Sequence, residues 1–289
     1  MKIAAFNIQR LGTNKISQPT IVSRIVKILL RYDIILIMEV FDKTGDVSSQ
    51  LLDELNKQAA SHYSSTLSNP LGRGSYKEQY LFIYRNDMVQ MERFFQYDDM
   101  QLGDEDAFSR EPFVIQFKSP TTDLSTLSLL HCQDEAQHER EEQHLVFCPV
   151  VQDFVLIPLH TTPKDSVKEI DELYDVTQKV IKDWNTENIM ILGDFNADGD
   201  YVSKRKMKTI RLRTDSNFHW LIGDDEDTTA RLSTDQAYDR IVVYGNTFYQ
   251  GIVPNSAKTF NFQEELQLTE EQALDISDHY PVEVELKLV

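Results

Sequence analysis

One histidine near the end of the chain is surrounded by residues that suit acid–base chemistry. His279 lies in the run ISDHYPV (residues 276–282), directly after Asp278. An imidazole titrates near pH 7, and a carboxylate partner can hold it in one tautomer. Asp239 is a second carboxylate available for this purpose. These residue types favour a general acid or base, although an ordinary histidine before a strand would have the same local sequence.

Asp194 and Asn196 form a second candidate group. They follow Gly193 and the apolar run IMIL (residues 189–192). Because residues two apart in an extended segment point to the same side, this carboxylate and this amide would face one pocket. A carboxylate that activates water, beside an amide that binds a phosphate oxygen, suits attack on a phosphodiester. The alternative is a simple turn, since Asp and Asn are common turn formers.

Two further strand ends carry polar side chains. Glu39 closes the apolar run IILIM (residues 34–38), and Asn7 ends the first predicted strand. A carboxylate at the end of a buried strand is costly unless it binds a cation or a hydrogen-bond donor. Oxygen ligands without cysteine fit Mg²⁺ that keeps several of its waters. A metal ligand is therefore favoured over a capped or ion-paired Glu39.

His160 provides a second imidazole. It follows the apolar run VLIPL (residues 155–159), and Glu78 lies in the run YKE (residues 76–78). Glu78 could orient His160, which would give two histidine–carboxylate pairs. Two such pairs suit a reaction that needs both a general base and a general acid.

The elements that position these residues alternate between strands and amphipathic helices. Helices are predicted over residues 19–31, 48–58 and 164–184. Strands are predicted over residues 2–8, 33–38, 79–85, 89–96, 112–118, 153–159, 188–193, 239–244 and 281–288. Strands with helices on the outside indicate an α/β sandwich of two sheets. No linker or repeat divides the chain, so we expect one domain over residues 1–289.

Residues 121–152 depart from this pattern. The stretch is polar and charged and contains both cysteines, Cys132 and Cys148, so we expect a solvated acidic surface insertion. The alternative is a zinc site that also uses His138 and His144. Their spacing matches no familiar zinc pattern, which favours the insertion.

The formal charge of −18 argues against tight binding to nucleic acid, because affinity for phosphates depends largely on Lys and Arg. Bound divalent cations would make a carboxylate cluster less negative. One face could also carry a local basic rim. Its candidate members are Arg10, Arg73, Lys77, Arg85 and Arg110. Weak, salt-sensitive binding is therefore expected.

The sequence also bears on location. It starts with a predicted strand, has two cysteines and contains no Asn-x-Ser/Thr sequon. These features favour a cytoplasmic or nuclear protein, or an extracellular one if a signal peptide has been removed. No apolar run reaches the ~18 residues that span a membrane. We expect a monomer that does not enter membranes.

These runs together closely resemble the deoxyribonuclease I family, within the endonuclease/exonuclease/phosphatase superfamily. Further matching segments, some of them typical of a deoxyribonuclease I-like branch, are residues 70–80, 108–112, 157–163, 210–214, 220–222 and 227–229. The resemblance covers nearly the whole chain apart from residues 121–152. It implies a four-layer sandwich in which two packed mixed β-sheets are flanked by helices. It also implies a divalent-metal-dependent endonuclease that leaves 5′-phosphate ends on mainly double-stranded DNA.

The resemblance implies roles for individual residues in the reaction. His279 would pair with Asp239, and His160 with Glu78, to share the acid and base roles. The residues implied in catalysis are Glu78, His160, Asp194, Asn196, Asp239 and His279. Those implied at a Mg²⁺ ion, which Mn²⁺ could replace, are Asn7, Glu39, Asp194 and Asp278.

The resemblance also implies contacts away from the reacting bond. Arg73 and Tyr76 would enter the minor groove of DNA, while Arg110 and Asn196 would contact phosphate. A Ca²⁺ site is implied at Asp99, Asp106, Phe108 (through its backbone) and Glu111. Alternating carboxylates on a loop suit this large cation, although an ordinary acidic turn would have similar residues.

Several positions depart from the family pattern. Gln9 and Phe41 stand where some relatives have arginines that contact DNA, which predicts weaker groove binding. Gly199 and Gln236 stand where most relatives have the cysteines of a structural disulfide. The missing disulfide favours a non-secreted branch. The residues do not indicate whether actin binds.

Two other functions compete with a DNA endonuclease. A phosphatase or lipid phosphodiesterase would keep the fold and change the substrate, but Arg73 and Tyr76 favour DNA because a minor groove accepts an arginine and a ring. An inactive binding protein would keep the fold alone. The presence of every expected catalytic group argues against it.

Overall fold

A computed structural model describes residues 1–100, 106–119 and 151–287. Most of the predicted insertion (residues 121–152) therefore lies outside the described residues. So do all four alternative zinc ligands, Cys132, His138, His144 and Cys148. Within the described ranges, no helix is both long and apolar enough to cross a membrane.

The described residues contain two six-stranded sheets. In chain order, the strands are β1 (Lys2–Leu11), β2 (Ile34–Val40), β3 (Tyr63–Leu67), β4 (Gln79–Arg85), β5 (Gln90–Gln96), β6 (Phe113–Lys118), β7 (Asp153–His160), β8 (Ile189–Asp194), β9 (Phe218–Trp220), β10 (Asp239–Tyr244), β11 (Lys258–Thr259) and β12 (Val282–Glu285). The first sheet has the order β11-β12-β1-β2-β4-β3, and the second has the order β5-β6-β7-β8-β10-β9.

Three long helices account for the predicted helical segments. In chain order, the helices of the described residues are α1 (Thr13–Ile16), α2 (Pro19–Leu29), α3 (Asp46–Gln58), α4 (Ser166–Trp184), α5 (Lys204–Met207), α6 (Arg211–Thr214), α7 (Asn246–Gln250), α8 (Phe262–Glu265) and α9 (Glu270–Leu274). The long ones are α2, α3 and α4. Pro19 opens α2, where its fixed backbone angle suits the first helical position.

Each sheet contains one parallel pair of strands. β1 pairs with β2 and β7 pairs with β8, while the other pairs are antiparallel. Each parallel pair is joined by a crossover that contains a helix, as parallel strands require. The carboxyl ends of a parallel pair lie at one edge, and their antiparallel neighbours begin there. Polar residues at strand ends are thereby collected along one rim.

Three apolar layers stabilise this arrangement. The central layer lies between the sheets and includes Ile3, Phe82, Phe154 and Met190, all fully buried. A second layer packs α2 and α3 on the first sheet, and a third packs α4 on the second. The order is therefore helix, sheet, sheet, helix. This arrangement confirms the predicted four-layer sandwich.

The short elements are those that apolar periodicity does not predict. Strand β3 has the sequence YSSTL, and only Tyr63 is fully buried. Strands β9 and β11 contain three and two residues. Such segments adopt the extended form because a neighbouring strand supplies hydrogen bonds, and their own sequences carry little signal.

Candidate active site

An open pocket lies on the rim where the strand ends meet. Glu39, His160 and Asp194 lie at or near the carboxyl ends of β2, β7 and β8, because both parallel pairs point towards this rim. Asn7 was expected to end the first strand, but it lies inside β1, where the regular pairing with β2 breaks. The pocket is lined by Asn7, Gln9, Arg10, Glu39, Tyr76, Arg110, His160, Pro163, Asp194, Asn196, Asp278 and His279. Seven segments that are distant in sequence are thus brought together. They include the predicted strand ends that carry Asn7, Glu39, His160, Asp194 and His279.

His279 is held by the carboxylate that was expected to orient it. Its Nδ1 lies 2.7 Å from Oδ2 of Asp239, which is fully buried at the start of β10. The backbone N–H of His279 donates to Oγ of Ser277 (3.0 Å), and this hydroxyl donates to the carbonyl of Asn7 (2.6 Å). Asp239 therefore fixes the ring and Ser277 fixes the backbone that carries it, with Nε2 facing the pocket.

His160 forms the second pair. Its Nδ1 lies 2.5 Å from Oε1 of Glu78, and both side chains are buried. Arg110 places its Nε 2.7 Å from the same carboxylate oxygen and donates from Nη1 to the carbonyl of His160 (3.0 Å). The backbone N–H of His160 donates to the Tyr80 hydroxyl (2.9 Å). These contacts leave Nε2 as the atom that faces the pocket.

Asp194 lies between the two imidazoles. Its Oδ2 is 3.6 Å from Nε2 of His160 and 3.7 Å from Nε2 of His279. Burial works against its charged form, but His279 and His160 together hold the pKa of Asp194 below its ordinary value. Asn7 Nδ2 also donates to Oδ2 (3.2 Å). Asp194 is therefore an anion that joins both histidine–carboxylate pairs into one centre.

The Asp239–His279 pair retains a proton over a wide pH range. Burial raises the pKa of Asp239 to about 6, although His279 lowers it. Burial works against protonation of His279, but Asp239 and Asp194 raise the pKa of this imidazole to about 10. Between these values the pair holds an imidazolium beside a carboxylate. A cation bound nearby would weaken this negative field and favour release of the proton.

Gly193 allows the strands that carry this centre to approach closely. A Cβ atom at Gly193 would lie 2.0 Å from the carbonyl oxygen of Leu159, and the residue has a φ of 140°. Asn196 has a φ of 47°, a left-handed conformation that Asn tolerates better than most residues. Its Nδ2 donates to the carbonyl and hydroxyl oxygens of Thr161 (both 3.2 Å). The amide is thereby held at the pocket wall.

The predicted metal ligands line one side of the pocket. Glu39 accepts hydrogen bonds from Asn7 Nδ2 (3.2 Å) and from the backbone N–H of Arg10 (3.0 Å). Asn7 therefore links Glu39 to Asp194 by donating to both carboxylates. Asp278 also lines the pocket and is partly buried. The carboxylate oxygens on this wall are hard donors that fit a divalent cation.

A second, overlapping group could also hold a metal ion. One ligand atom each from Asp194, Asp239 and His279 lies within 4.8 Å of the others. Asp239 Oδ1 is buried and has no hydrogen-bond partner among the described residues. Asp194 belongs to both groups, so a cation at either wall would contact it. The residues present therefore fit a divalent metal ion.

Two of the four expected Ca²⁺ ligands, Asp106 and Phe108, contact Arg73 in this structure. Asp99 Oδ2 accepts from the backbone N–H of Phe108 (2.6 Å). Asp106 lies 3.1 Å from Arg73 Nε, and Arg73 Nη2 donates to the Phe108 carbonyl (3.3 Å). The fourth candidate, Glu111, accepts from Gln96 through its carbonyl (2.7 Å). Arg73 thus provides the positive charge at this loop and does not line the pocket.

Tyr76 extends from the same rim. It is 48 % exposed, and its ring packs edge-on against Phe41, with centroids 5.0 Å apart. Phe41 therefore supports an exposed aromatic ring. Arg110 remains largely buried, with its side chain 13 % exposed. The pocket rim therefore combines one ring with one well-fixed guanidinium.

The positions of the missing disulfide lie side by side. A Cβ atom at Gly199 would lie 2.2 Å from Gln236 Oε1. The same two loops are joined by a hydrogen bond from the Ala237 N–H to Asp198 Oδ2 (3.1 Å). Hydrogen bonding holds these loops together where the resemblance implied a disulfide in relatives.

Two positioning residues were missed by the sequence analysis. Lys15 Nζ donates to the carbonyls of Gln9 (2.5 Å), Ile276 (2.6 Å) and Ile8 (3.3 Å). Buried Glu169 accepts from the N–H groups of Thr162 (2.9 Å) and Ser109 (3.3 Å). Both contacts join segments far apart in sequence and involve backbone atoms. No side-chain pattern could have revealed them.

Replacement of Lys15 with methionine is expected to lower both stability and activity. Three carbonyls would lose their donor, at a cost of about 1–3 kcal/mol in the free energy of unfolding. The segments that carry Asn7 and Asp278 would also separate, so the metal concentration needed for half-maximal activity should rise. Urea unfolding and metal titration measure these effects. Lys57→Met, at an exposed lysine, is the control. Equal changes in the free energy of unfolding and in the metal requirement of the two variants would contradict the prediction.

The Glu78–His160 pair should stabilise the fold most in mildly acidic solution. Burial opposes ionisation, but His160 and Arg110 hold the pKa of Glu78 below its ordinary 4.5, so its stabilisation is lost as pH falls below 4.5. Burial also opposes protonation of His160, but Glu78 raises its pKa above 6.5, so that stabilisation is lost as pH rises above 6.5.

Urea unfolding of the unmodified protein and Glu78→Gln across pH tests this expectation. The difference in the free energy of unfolding should be largest between pH 4.5 and 6.5, the ordinary values of the two groups. Glu54→Gln, at a partly exposed helical site, is the control. A difference that does not change with pH would contradict the assigned pKa directions.

A two-sheet sandwich with paired imidazoles and carboxylates on its rim defines a class of hydrolases that act on phosphate esters. The sequence pattern of the Endonuclease/Exonuclease/phosphatase family matches residues 4–279. The chain belongs to this family. It is 45 % identical to human deoxyribonuclease gamma over 99 % of the chain and 86 % of the relative. It is 47 % identical to rabbit deoxyribonuclease-1 over 99 % of the chain and 92 % of the relative.

Solved structures support the fold independently. The human Nocturnin catalytic domain aligns with a TM-score of 0.61 and 12 % identity, covering 100 % of this chain and 94 % of that one. A family protein from Leptotrichia buccalis aligns with a TM-score of 0.60 and 16 % identity, covering 100 % of both chains. At these identities the similarity shows the architecture alone. Both alignments extend over the whole sandwich.

Proposed function

We propose that this protein is a divalent-metal-dependent endonuclease that hydrolyses phosphodiester bonds of DNA. One observation carries the proposal: Asp194 Oδ2 lies between the Nε2 atoms of His160 and His279, and each imidazole has its own buried carboxylate. The full-length similarity to deoxyribonucleases supports DNA as the substrate. Hydrolysis would leave 5′-phosphate ends.

The two imidazoles would divide the proton transfers. Water attacks the phosphorus atom while the bond to the 3′ oxygen breaks. Nε2 of one histidine takes a proton from the attacking water, and Nε2 of the other gives a proton to the departing oxygen. Glu78 and Asp239 fix the tautomers, so that both Nε2 atoms face the pocket. Asn196 would hold a non-bridging phosphate oxygen.

Mg²⁺ is the proposed metal, with Mn²⁺ as a substitute. Glu39 and Asp194 would hold it, with Asn7 and Asp278 at the same wall. Bound there, the ion would stabilise negative charge on the phosphate. Ca²⁺ is proposed at Asp99, Asp106, Phe108 and Glu111. Binding of Ca²⁺ would require Arg73 to move from the oxygens that it contacts now, which would free Arg73 for DNA.

The remaining DNA contacts come from the pocket rim. Arg110 is fixed by Glu78 and lines the pocket, so its guanidinium can meet a phosphate. Tyr76 is exposed and supported by Phe41, which suits packing against a sugar or base in the minor groove. Few cations line the pocket of this acidic chain, so binding through the pocket alone should be weak. It should weaken further as salt increases, because these contacts are electrostatic.

A comparison of substrate classes tests this function. The purified protein would be incubated with Mg²⁺ and duplex DNA, single-stranded DNA, RNA or p-nitrophenyl phosphate. We expect the fastest cleavage with duplex DNA and products that polynucleotide kinase labels only after phosphatase treatment. Faster hydrolysis of the phosphomonoester, or products with free 5′-hydroxyl ends, would contradict the proposal.

A further inference from the structure

The strongest local concentration of positive charge lies outside the pocket. Residues 203–213 (SKRKMKTIRLR) contain six of the 29 Lys and Arg residues and no carboxylate. The chain as a whole carries 47 Asp and Glu residues. Such a charged segment in an acidic protein requires a separate explanation.

Four of the six cations are exposed and lack a carboxylate partner. We call them the basic ridge: Lys204, Arg205, Lys206 and Lys208. None of them forms an ion pair within the described ranges. By contrast, Arg211 pairs with Asp171 and Asp175 (both 2.7 Å), and Arg213 pairs with Asp224 (2.7 Å). The four ridge residues are therefore available to an external anion.

The ridge is held firmly by the apolar layer beneath it. Val202, Met207 and Ile210 are buried against the outer face of the second sheet. Ser203 caps α5 by accepting a hydrogen bond from the Lys206 N–H. The charged side chains therefore project from an ordered backbone. Ordering of the backbone reduces the entropy lost when they bind.

Two routes connect the ridge to the pocket. On one side, the Tyr201 ring lies 5.5 Å from the Tyr238 ring, which lies 6.3 Å from the His279 ring. On the other side, an open groove is lined by three lysines, Lys164, Lys168 and Lys206, and by Asp165 and Asp171. Pro163, the residue before Lys164, lines the catalytic pocket. The ridge thus lies beside the pocket along both the chain and the surface.

We infer that the basic ridge binds the phosphate backbone of duplex DNA outside the cleaved segment. This inference rests on the proposed function, because it extends the path of the same substrate. A duplex carries one charge per ~1.7 Å of axis, so a substrate in the pocket presents further phosphates nearby. Four unpaired cations beside the pocket provide the complementary charge. They would compensate locally for the charge of −18.

Salt-dependent binding tests the ridge. The ridge variant carries Lys204→Gln, Arg205→Gln, Lys206→Gln and Lys208→Gln. The control variant carries Lys27→Gln, Lys43→Gln, Lys57→Gln and Lys182→Gln at exposed sites elsewhere. Both change the net charge by the same amount. Each set would be placed in the His279→Ala protein, which is expected to bind DNA without cutting it.

Fluorescence anisotropy with a labelled 30-base-pair duplex would give Kd across a KCl series with Mg²⁺ present. Each phosphate contact contributes about 0.9 to the slope of log Kd against log salt. The slope for the ridge variant should therefore be smaller than that of the His279→Ala parent by about 2–4. The control variant should change little. If the slope changed equally in the two variants, net charge alone would explain the effect and the inference would be overturned. An unchanged slope in the ridge variant would also overturn it.

Two measurements separate this inference from the proposed function. With the active protein, bis(p-nitrophenyl) phosphate has no flanking phosphates, so its hydrolysis should be equal with and without the ridge substitutions. Loss of this hydrolysis would show that the ridge acts on the catalytic pocket and would overturn the inference. If the ridge substitutions weakened DNA binding but the active protein did not cleave plasmid, only the proposed function would be contradicted. If the protein cleaved plasmid but the ridge substitutions left DNA binding unchanged, only the inference about the ridge would be contradicted.

Discussion

Replacement of His279 with alanine is expected to lower kcat/KM for duplex DNA by about 10²- to 10⁴-fold, the range that one positioned acid or base contributes. The imidazole contributes in two ways in this structure. Its Nε2 is the pocket-facing atom that can exchange a proton, and its positive charge holds the pKa of Asp194 low. The measurement is the initial rate of plasmid nicking at saturating metal.

Asp239→Asn is the matched variant for this prediction. It keeps the size of the side chain at 239 but removes the charge that holds Nδ1 of His279, so a loss of similar order is expected. His62→Ala, at an exposed histidine, should retain the full rate. An unchanged kcat/KM for His279→Ala would exclude this imidazole from the reaction.

Replacement of His160 with alanine should cause a second large loss, again about 10²- to 10⁴-fold in kcat/KM. His160 is buried and is the only link between Glu78 and Asp194 in the described contacts. Glu78→Gln should lower kcat/KM less than His160→Ala does, because Arg110 still fixes the backbone of His160. Rates would be measured with the same plasmid.

A substrate with sulfur at the bridging 3′ position separates the two roles. A thiolate leaves without protonation, so the variant that lacks the general acid should recover much of its rate with this substrate. The variant that lacks the general base should not. If neither variant recovered its cleavage rate with this substrate, a division of the proton transfers between His160 and His279 would be contradicted.

The sequence predicted the main features of the site because strands impose strong constraints. Apolar runs such as residues 34–38 must be buried, and their polar ends must then lie at a rim. This constraint places Glu39, His160 and Asp194 at the rim of the sheets. The same constraints predicted the long helices to within a few residues, since amphipathic spacing over many residues has few alternatives.

Features that depend on tertiary contacts were not predictable. The position of Asp194 between both imidazoles depends on how two sheets pack. The contact between Arg73 and the loop of Asp106 and Phe108 also depends on tertiary packing. The expected roles of Arg73 at DNA and of this loop at Ca²⁺ stay predictions. Lys15 donates hydrogen bonds to backbone carbonyls, and every residue of any sequence has such a carbonyl. Short helices such as α5 follow from caps and burial of single residues.

The measurement that tests the central proposal most directly is conversion of supercoiled plasmid to its relaxed form. The purified protein would be compared with His160→Ala and His279→Ala, each with Mg²⁺ and Ca²⁺ or with EDTA. We predict metal-dependent nicking by the unmodified protein, loss of nicking in EDTA and loss of nicking in both variants. Failure of the folded, unmodified protein to nick plasmid with metal present would contradict the proposed endonuclease.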